Sequence, residues 1–247
     1  MPPKKVRIVA LHGALGLPSD WDPVARYIAD EFVAVDLYQS ITEGVDSFAE
    51  FPEWLENLVP ESDGFEDVLV GYSLGGRLAL HAMLADPERW QKSVITSSHP
   101  GIENPAEQSA RCEVDDAWAA RFESESETWS EVLQAWNSQP IFAGRGEEWI
   151  EQRAALEDRR SIIAKGARIW SLGRQQPLWG EMRNWPHNVL WAAGALDEKF
   201  VKISRRASAE CPYGMIKVLP DTGHRVPFEA PKEFVEALFS WAVRVSG

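Results

Sequence analysis

The sequence predicts an α/β fold, with a mostly parallel sheet of about six strands, helices on both faces and one helical insertion. Three observations carry that reading. Short β-branched apolar runs alternate with longer amphipathic segments, the rhythm of repeated βαβ units. The runs are apolar almost without interruption, as strands buried on both faces must be. The rhythm stops after residue 100 and resumes near residue 186, and the residues between show helical periodicity but no convincing strand run.

In chain order, VRIVAL (6 to 11) reads as the first strand, followed by a helix from about Ser19 to Asp30 and a strand at FVAVD (32 to 36). A helix around Asp46 to Leu58 leads to the strand DVLVGY (67 to 72). A further helix, Gly75 to Ala85, is stopped by Asp86-Pro87 and leads to the strand SVITSS (93 to 98). Helical segments then cover Asp115 to Glu123, Thr128 to Trp136 and Glu147 to Ser171. The α/β rhythm returns with NVLWAAG (188 to 194), a helix from Glu198 to Ala209, the strand MIKVL (215 to 219) and a terminal helix from Pro231 to Val243. The expected organisation is a core of residues 1–100 and 186–247 with a helical cap of residues 101–185.

Composition narrows the function. The chain has 247 residues, 45% of them hydrophobic, enough for one sizeable core. A net charge of −13 repels phosphate backbones and anionic lipid surfaces, so nucleic acid is not an expected partner. No apolar run approaches the ~20 residues needed to cross a bilayer, and the first lacks the length and cleavage site of a signal peptide. A soluble, cytoplasmic protein is the expectation. Cys112 and Cys211 have neither zinc-site nor disulfide spacing and read as structural thiols in a reducing compartment. The insertion holds 9 of the 17 arginines and 7 of the 12 tryptophans, against one lysine, Lys165. Pairing with its glutamates and packing against the sheet account for most of these. The preference for arginine still suggests that one or two act as planar forks for carboxylates.

The strongest local signal is Gly71-Tyr72-Ser73-Leu74-Gly75, a G-x-S-x-G framed by the strand DVLV and a helix. A sharp strand-to-helix turn strains the serine backbone and demands side chains no larger than hydrogen two positions either side. It also places the serine oxygen at a helix N-terminus, where unpaired N–H groups favour developing negative charge. A base and an orienting acid should follow in the order Ser, Asp, His. Asp197, after NVLWAAG, and His224, after MIKVL, both lie at carboxyl ends of strands, where sites of open α/β sheets form. His12, His81, His99 and His187 are read as structural, and Asp221, a rival acid, as a turn residue. The turn after His12-Gly13 can aim the Ala14 N–H into the cleft that the Leu74 N–H faces, completing an oxyanion hole.

On these residues, with the helical insertion, the chain resembles the α/β-hydrolase superfamily with a cap. Further matches are VGYSLGGR (70 to 77), His99-Pro100-Gly101, WNSQPIF (136 to 142), Gln176-Pro177-Leu178-Trp179, GALDEKF (194 to 200) and Gly223-His224. Through them it resembles, within that superfamily, the synthases of menaquinone or phylloquinone biosynthesis. These eliminate pyruvate to form 2-succinyl-6-hydroxy-2,4-cyclohexadiene-1-carboxylate. The resemblance implies a lyase with Ser73 as base, no metal or organic cofactor, and a small polycarboxylate substrate. It assigns substrate contacts to Arg77, Arg121, Tyr72 and Trp136, and to Arg159 or Arg160, between which the match is ambiguous. Tyr72 and Trp136 fit a core position equally well. Three departures stand out. Leu37-Tyr38-Gln39-Ser40 replaces a Gly-rich turn, no antiparallel strands precede the first strand, and the cap arginine lacks its following asparagines. The alternatives are a carboxylic-ester or C–C bond hydrolase using the same triad, and a noncatalytic ligand-binding protein.

Overall fold

A computed structural model describes residues 5–142 and 146–244. Arg145, one of the insertion's arginines, lies outside them. Six strands form one sheet: β1 (Lys5–Leu11), β2 (Glu31–Val35), β3 (Phe65–Tyr72), β4 (Lys92–Thr96), β5 (Asn188–Gly194) and β6 (Tyr213–Leu219). Their order is β2-β1-β3-β4-β5-β6, and every neighbouring pair is parallel. Along β1, Val9 and Leu11 enter one apolar layer and Ile8 and Ala10 the other, so both faces are covered and the strand has no polar side. The chain leaves β1 first towards β2 and then crosses to β3 on its other side. This switch point sets Leu11 beside Gly71 and brings the β1 loop up against the turn after β3.

The helices are α1 (Asp22–Ala25), α2 (Leu37–Thr42), α3 (Phe51–Leu58), α4 (Leu74–Ala85), α5 (Pro105–Glu123), α6 (Trp129–Asn137), α7 (Glu147–Gln152), α8 (Arg160–Ile169), α9 (Trp179–Met182), α10 (Glu198–Glu210), α11 (Val226–Glu229) and α12 (Pro231–Arg244). Several differ from the sequence expectation for identifiable reasons. The helix expected over 19 to 30 is a 3-10 turn at Pro18–Trp21 followed by the four-residue α1. Pro23 has no N–H to carry a continuous ladder, and Trp21 turns inward onto Phe228 at 5.3 Å. The helix expected from 115 begins ten residues earlier, because Pro105 takes the first position and the Asn104 side chain accepts the Ala106 N–H at 2.9 Å. The single helix expected over 147 to 171 is divided between α7, a 3-10 segment (Arg153–Arg159) and α8. Helix α2 was not foreseen. It fills the place of the Gly-rich turn, started by Asp36, whose carboxylate accepts the Tyr38 N–H at 3.0 Å.

Helices α5 to α9 all lie between β4 and β5. The entry and exit of this insertion are tied together: Leu178 N–H donates to the Pro100 carbonyl at 2.8 Å and Trp179 Nε1–H to the Gly101 carbonyl at 2.8 Å. Helix α8 packs on α5 and reaches the core through α2. A buried arginine makes a second tie. Arg153 is 1% exposed; its Nε–H donates to the Leu15 carbonyl at 2.8 Å, and Nη2 pairs with Asp20. Removing one partner of such a pair leaves an uncompensated buried charge. Arg153→Ala is therefore expected to cost about 3–5 kcal/mol, seen as a lower urea midpoint with an unchanged denaturant slope. A wild-type midpoint would show that the pair contributes nothing.

Candidate active site

The turn after β3 is shaped by glycines. A Cβ on Gly75 would collide with the Leu11 carbonyl and sit 2.5 Å from that of His12, and one on Gly71 would sit 2.5 Å from the Gly76 Cα. Ser73 between them has φ 52° and ψ −111°, a left-handed backbone disfavoured for any residue with a side chain. Asp197 ends the loop after β5, where its Oδ1 accepts the Phe200 N–H at 3.3 Å as the cap of α10. His224 lies in the loop after β6.

These three side chains form one hydrogen-bonded chain. His224 Nδ1 lies 2.6 Å from Asp197 Oδ2, and Nε2 lies 3.3 Å from Ser73 Oγ. A carboxylate only accepts, so Nδ1–H donates to Asp197 and leaves Nε2 free to accept the Ser73 hydroxyl proton. Burial lowers the His224 pKa below its ordinary value, with Asp197 opposing the shift. Phe200 and Phe142 pack on the ring, with centroids 4.8 and 5.8 Å away.

Ser73 and His224 open into a cavity of about 250 Å³ between sheet edge and insertion. Ala14, Leu74, Arg77 and Trp136 also line it. Leu74 begins α4, so its N–H has no intrahelical acceptor. The β1 loop bearing Ala14 is pinned at its next residue, where Leu15 N–H donates to the Tyr38 hydroxyl at 2.8 Å. His12 supports the same loop: Nε2 accepts the Leu37 N–H at 3.1 Å and Nδ1 lies 2.8 Å from the Gly13 carbonyl. Helix α2 thus remodels this wall and holds the Ala14 loop from behind.

Four of the expected substrate contacts are absent from this cavity's lining, where Arg77 is not joined by Arg121 or by Arg159 or Arg160. Arg121 lies outside the cavity lining, paired with Glu127 at 3.0 Å and stacked over Trp118 at 4.8 Å. Arg159 is held by Asp36 through bonds of 2.8 and 3.1 Å. Arg160 donates to carbonyls of the α5–α6 turn, including that of Phe122 at 2.6 Å, and so caps it. Tyr72 points beneath the turn, edge-on to Phe228 at 5.2 Å, and burial raises its hydroxyl pKa.

The cations that line the cavity with Arg77 are Arg111 and Lys199. Arg77 donates to the Trp170 carbonyl at 2.6 Å, and burial pushes its pKa down to about 9, still protonated at neutral pH. Arg111 Nε donates to Asp115 at 2.9 Å, and Ser171 Oγ donates to the same carboxylate at 2.7 Å. Burial and Arg111 both lower the Lys199 pKa. Sequence signals for the missed residues existed. Arg111, Asp115 and Trp118 fall on one helical face at i, i+4 and i+7, and Lys199 is the lysine of D-x-K-F.

If a neutral His224 must accept the Ser73 proton, activity falls as pH drops through the lowered His224 pKa. The acid limb of kcat/KM is expected to be centred below about 6.5, the ordinary histidine value. A limb centred above that value would contradict the buried ring as base.

A model of the alpha/beta hydrolase family matches residues 8–237. The chain is 30% identical to a 2-succinyl-6-hydroxy-2,4-cyclohexadiene-1-carboxylate synthase of Serratia proteamaculans, over 96% of this chain and 92% of that protein. The structure of MenH from S. aureus superposes with a TM-score of 0.87 at 22% identity, covering 99% of this chain and 96% of that one. The carboxylesterase CesB from Bacillus subtilis superposes with a TM-score of 0.67 at 19% identity, covering 98% and 85%.

Proposed function

The chain belongs to the alpha/beta hydrolase family, and from that premise we propose that it is a lyase of the synthase type. It would eliminate pyruvate from an enolpyruvyl-succinyl-cyclohexene carboxylate to give 2-succinyl-6-hydroxy-2,4-cyclohexadiene-1-carboxylate, in menaquinone or phylloquinone biosynthesis. The observation that carries this reading is one cavity in which Ser73 and His224 meet three cations, Arg77, Arg111 and Lys199, against one carboxylate, Asp115, in a protein of net charge −13. A neutral ester needs no such field, whereas a polycarboxylate does.

The chemistry follows from the hydrogen-bonded chain. His224 Nε2 takes the Ser73 hydroxyl proton, and Ser73 Oγ removes a substrate C–H proton beside an activating carbonyl. The released electron pair forms the new C=C bond and expels the enolpyruvyl oxygen. The imidazolium then protonates the leaving oxygen, freeing pyruvate as its enol and restoring the neutral ring. The Ala14 and Leu74 N–H groups meet oxyanion character as charge shifts. Asp197 keeps the proton on Nδ1 and stabilises the transient imidazolium. The tryptophan-rich insertion keeps water from the anionic intermediate. Among the described residues no helix is long and apolar enough to cross a membrane, and both cysteines are free, which fits the cytoplasm.

Pyruvate release from the enolpyruvyl precursor, followed beside cleavage of a neutral aryl ester, tests this reading. Ser73→Ala is expected to lose orders of magnitude in pyruvate release while keeping its fold. Arg77→Lys and Arg111→Lys keep the charge but lose the fork, at roughly 1.5–3 kcal/mol for each charge-assisted bond lost. They should slow pyruvate release and leave ester cleavage nearly unchanged. Equal small effects on both reactions would replace the lyase by the ester-hydrolase alternative.

A further inference from the structure

His99, three residues beyond β4, stands outside the mechanism above, yet it lines the same cavity as Ser73, Arg77 and Lys199, and it also borders a neighbouring cleft with Trp179 and Arg206. Two features hold it in place. The Gln175 side-chain amide donates to the His99 carbonyl at 3.3 Å, and the Trp179 ring meets the imidazole edge-on at 5.9 Å. Gly101 then turns its own N–H back onto the ring, donating to His99 Nδ1 at 3.0 Å. That reversal uses φ 117°, and a Cβ on Gly101 would sit 2.5 Å from the Pro177 Cα, so this residue must be glycine.

A nitrogen that accepts a backbone N–H carries no proton of its own, so in the neutral ring the proton is on Nε2. Among the described residues Nε2–H meets no protein acceptor, and it is not among the sealed, unpartnered buried atoms. We infer that His99 is a substrate-contact residue, an uncharged donor whose Nε2–H bonds a carboxylate oxygen of the substrate in the cation-lined cavity. Burial, with Lys199, Arg77, Arg111 and Arg206 close by, pushes the ring down to about 4, so it donates without adding a fourth positive charge to the cavity. It supplies direction where the cations supply field: the ring is immobilised, and its donor geometry does not change across the neutral range.

The inference rests on the proposed lyase reading for the identity of the substrate but not for the tautomer, so two measurements separate the failures. In the first, kcat and KM for pyruvate release are compared for wild type, His99→Phe and His99→Gln. Glutamine can place an amide N–H near the position of Nε2, whereas phenylalanine keeps the ring shape and has no donor. His99→Phe is expected to lose roughly ten- to hundredfold in kcat/KM, the size of one hydrogen bond to a charged group. His99→Gln should recover most of that loss. Equal activity of His99→Phe and wild type, or no recovery in His99→Gln, would overturn the assignment. A wild type that releases no pyruvate would instead overturn the lyase reading. In the second, the side-chain ¹⁵N shifts of His99 are recorded in the intact wild-type protein, which needs no variant to fold. The Nε2–H tautomer is expected, with its proton moving downfield on addition of succinate. An Nδ1–H tautomer, or no response while succinate shifts Ser73, would refute it.

Discussion

The site depends on one strained residue. Ser73 holds a left-handed backbone that costs of order 1–3 kcal/mol, and the structure around it over-determines that conformation. Because Gly75 abuts the Leu11 and His12 carbonyls, the first turn of α4 can press directly onto the end of β1. The same contact sets Ala14 and Leu74 on one cavity, so the serine's strain and the meeting of these two turns are two results of one close approach. The four non-glycine residues of positive φ among the described residues are Leu15, Ser73, Ser97 and Asp221, and they follow β1, β3, β4 and β6 respectively. Strain is therefore concentrated along the carboxyl edge of the sheet, where backbone geometry must serve a site and not only a core.

Charge is arranged by the same division. Many arginines are spent on surface acids: Arg168 on Glu123, Arg174 on Asp116, Arg183 on Glu210 and Arg206 on Glu103. Such exposed pairs contribute little to stability, typically about 0–1 kcal/mol, but they neutralise one another. Among the described residues, only Arg111 of the three cavity cations is held by an acid, Asp115, which lines the same cavity. Arg77 gives one nitrogen to a backbone carbonyl, which fixes the fork without cancelling its charge. Arg111 uses Nε on Asp115, and that carboxylate is shared with Ser171. The outcome is a local positive field inside an acidic protein.

This division explains what was legible in the sequence. The strands and their parallel sense could be read because burial on both faces forces continuous apolar runs, as in β3 and β5. Ser73 could be read because the elbow demands glycines at two fixed offsets. His224 and Asp197 followed from chain order at strand ends. The cap arginines were harder. Arg121, with its Trp118-x-x-Arg121-Phe122 context, matches a pattern as well as Arg111 does, and only the rotation of α5 decides which faces the cavity. Lys199 and His99 belong to motifs quoted for recognition, D-x-K-F and H-P-G, but a motif does not say where a side chain points. Helix α2 was hidden for another reason. Six residues carry too little periodicity to distinguish a short helix from a turn, and its role depends on the Tyr38 hydroxyl reaching a residue 23 positions earlier.

The insertion is coupled to the loop after β6 by more than proximity. Arg225, next to His224 in the chain, lies between two rings of the insertion, 4.0 Å from the Phe142 centroid and 4.4 Å from that of Trp149. Its Nη2 donates to Asn137 Oδ1 at 2.7 Å. Phe142 packs edge-on against His224 itself and continues through Trp136 to Trp118, an aromatic arch from the base to α5. Arg111 therefore stands on the helix that carries one end of that arch, while His224 sits at the other. Because close-packed interiors transmit displacement instead of absorbing it, Arg111 and His224 belong to one packed unit. The rings of Phe142 and Phe200 that pack on His224 also wall the cavity into which it opens.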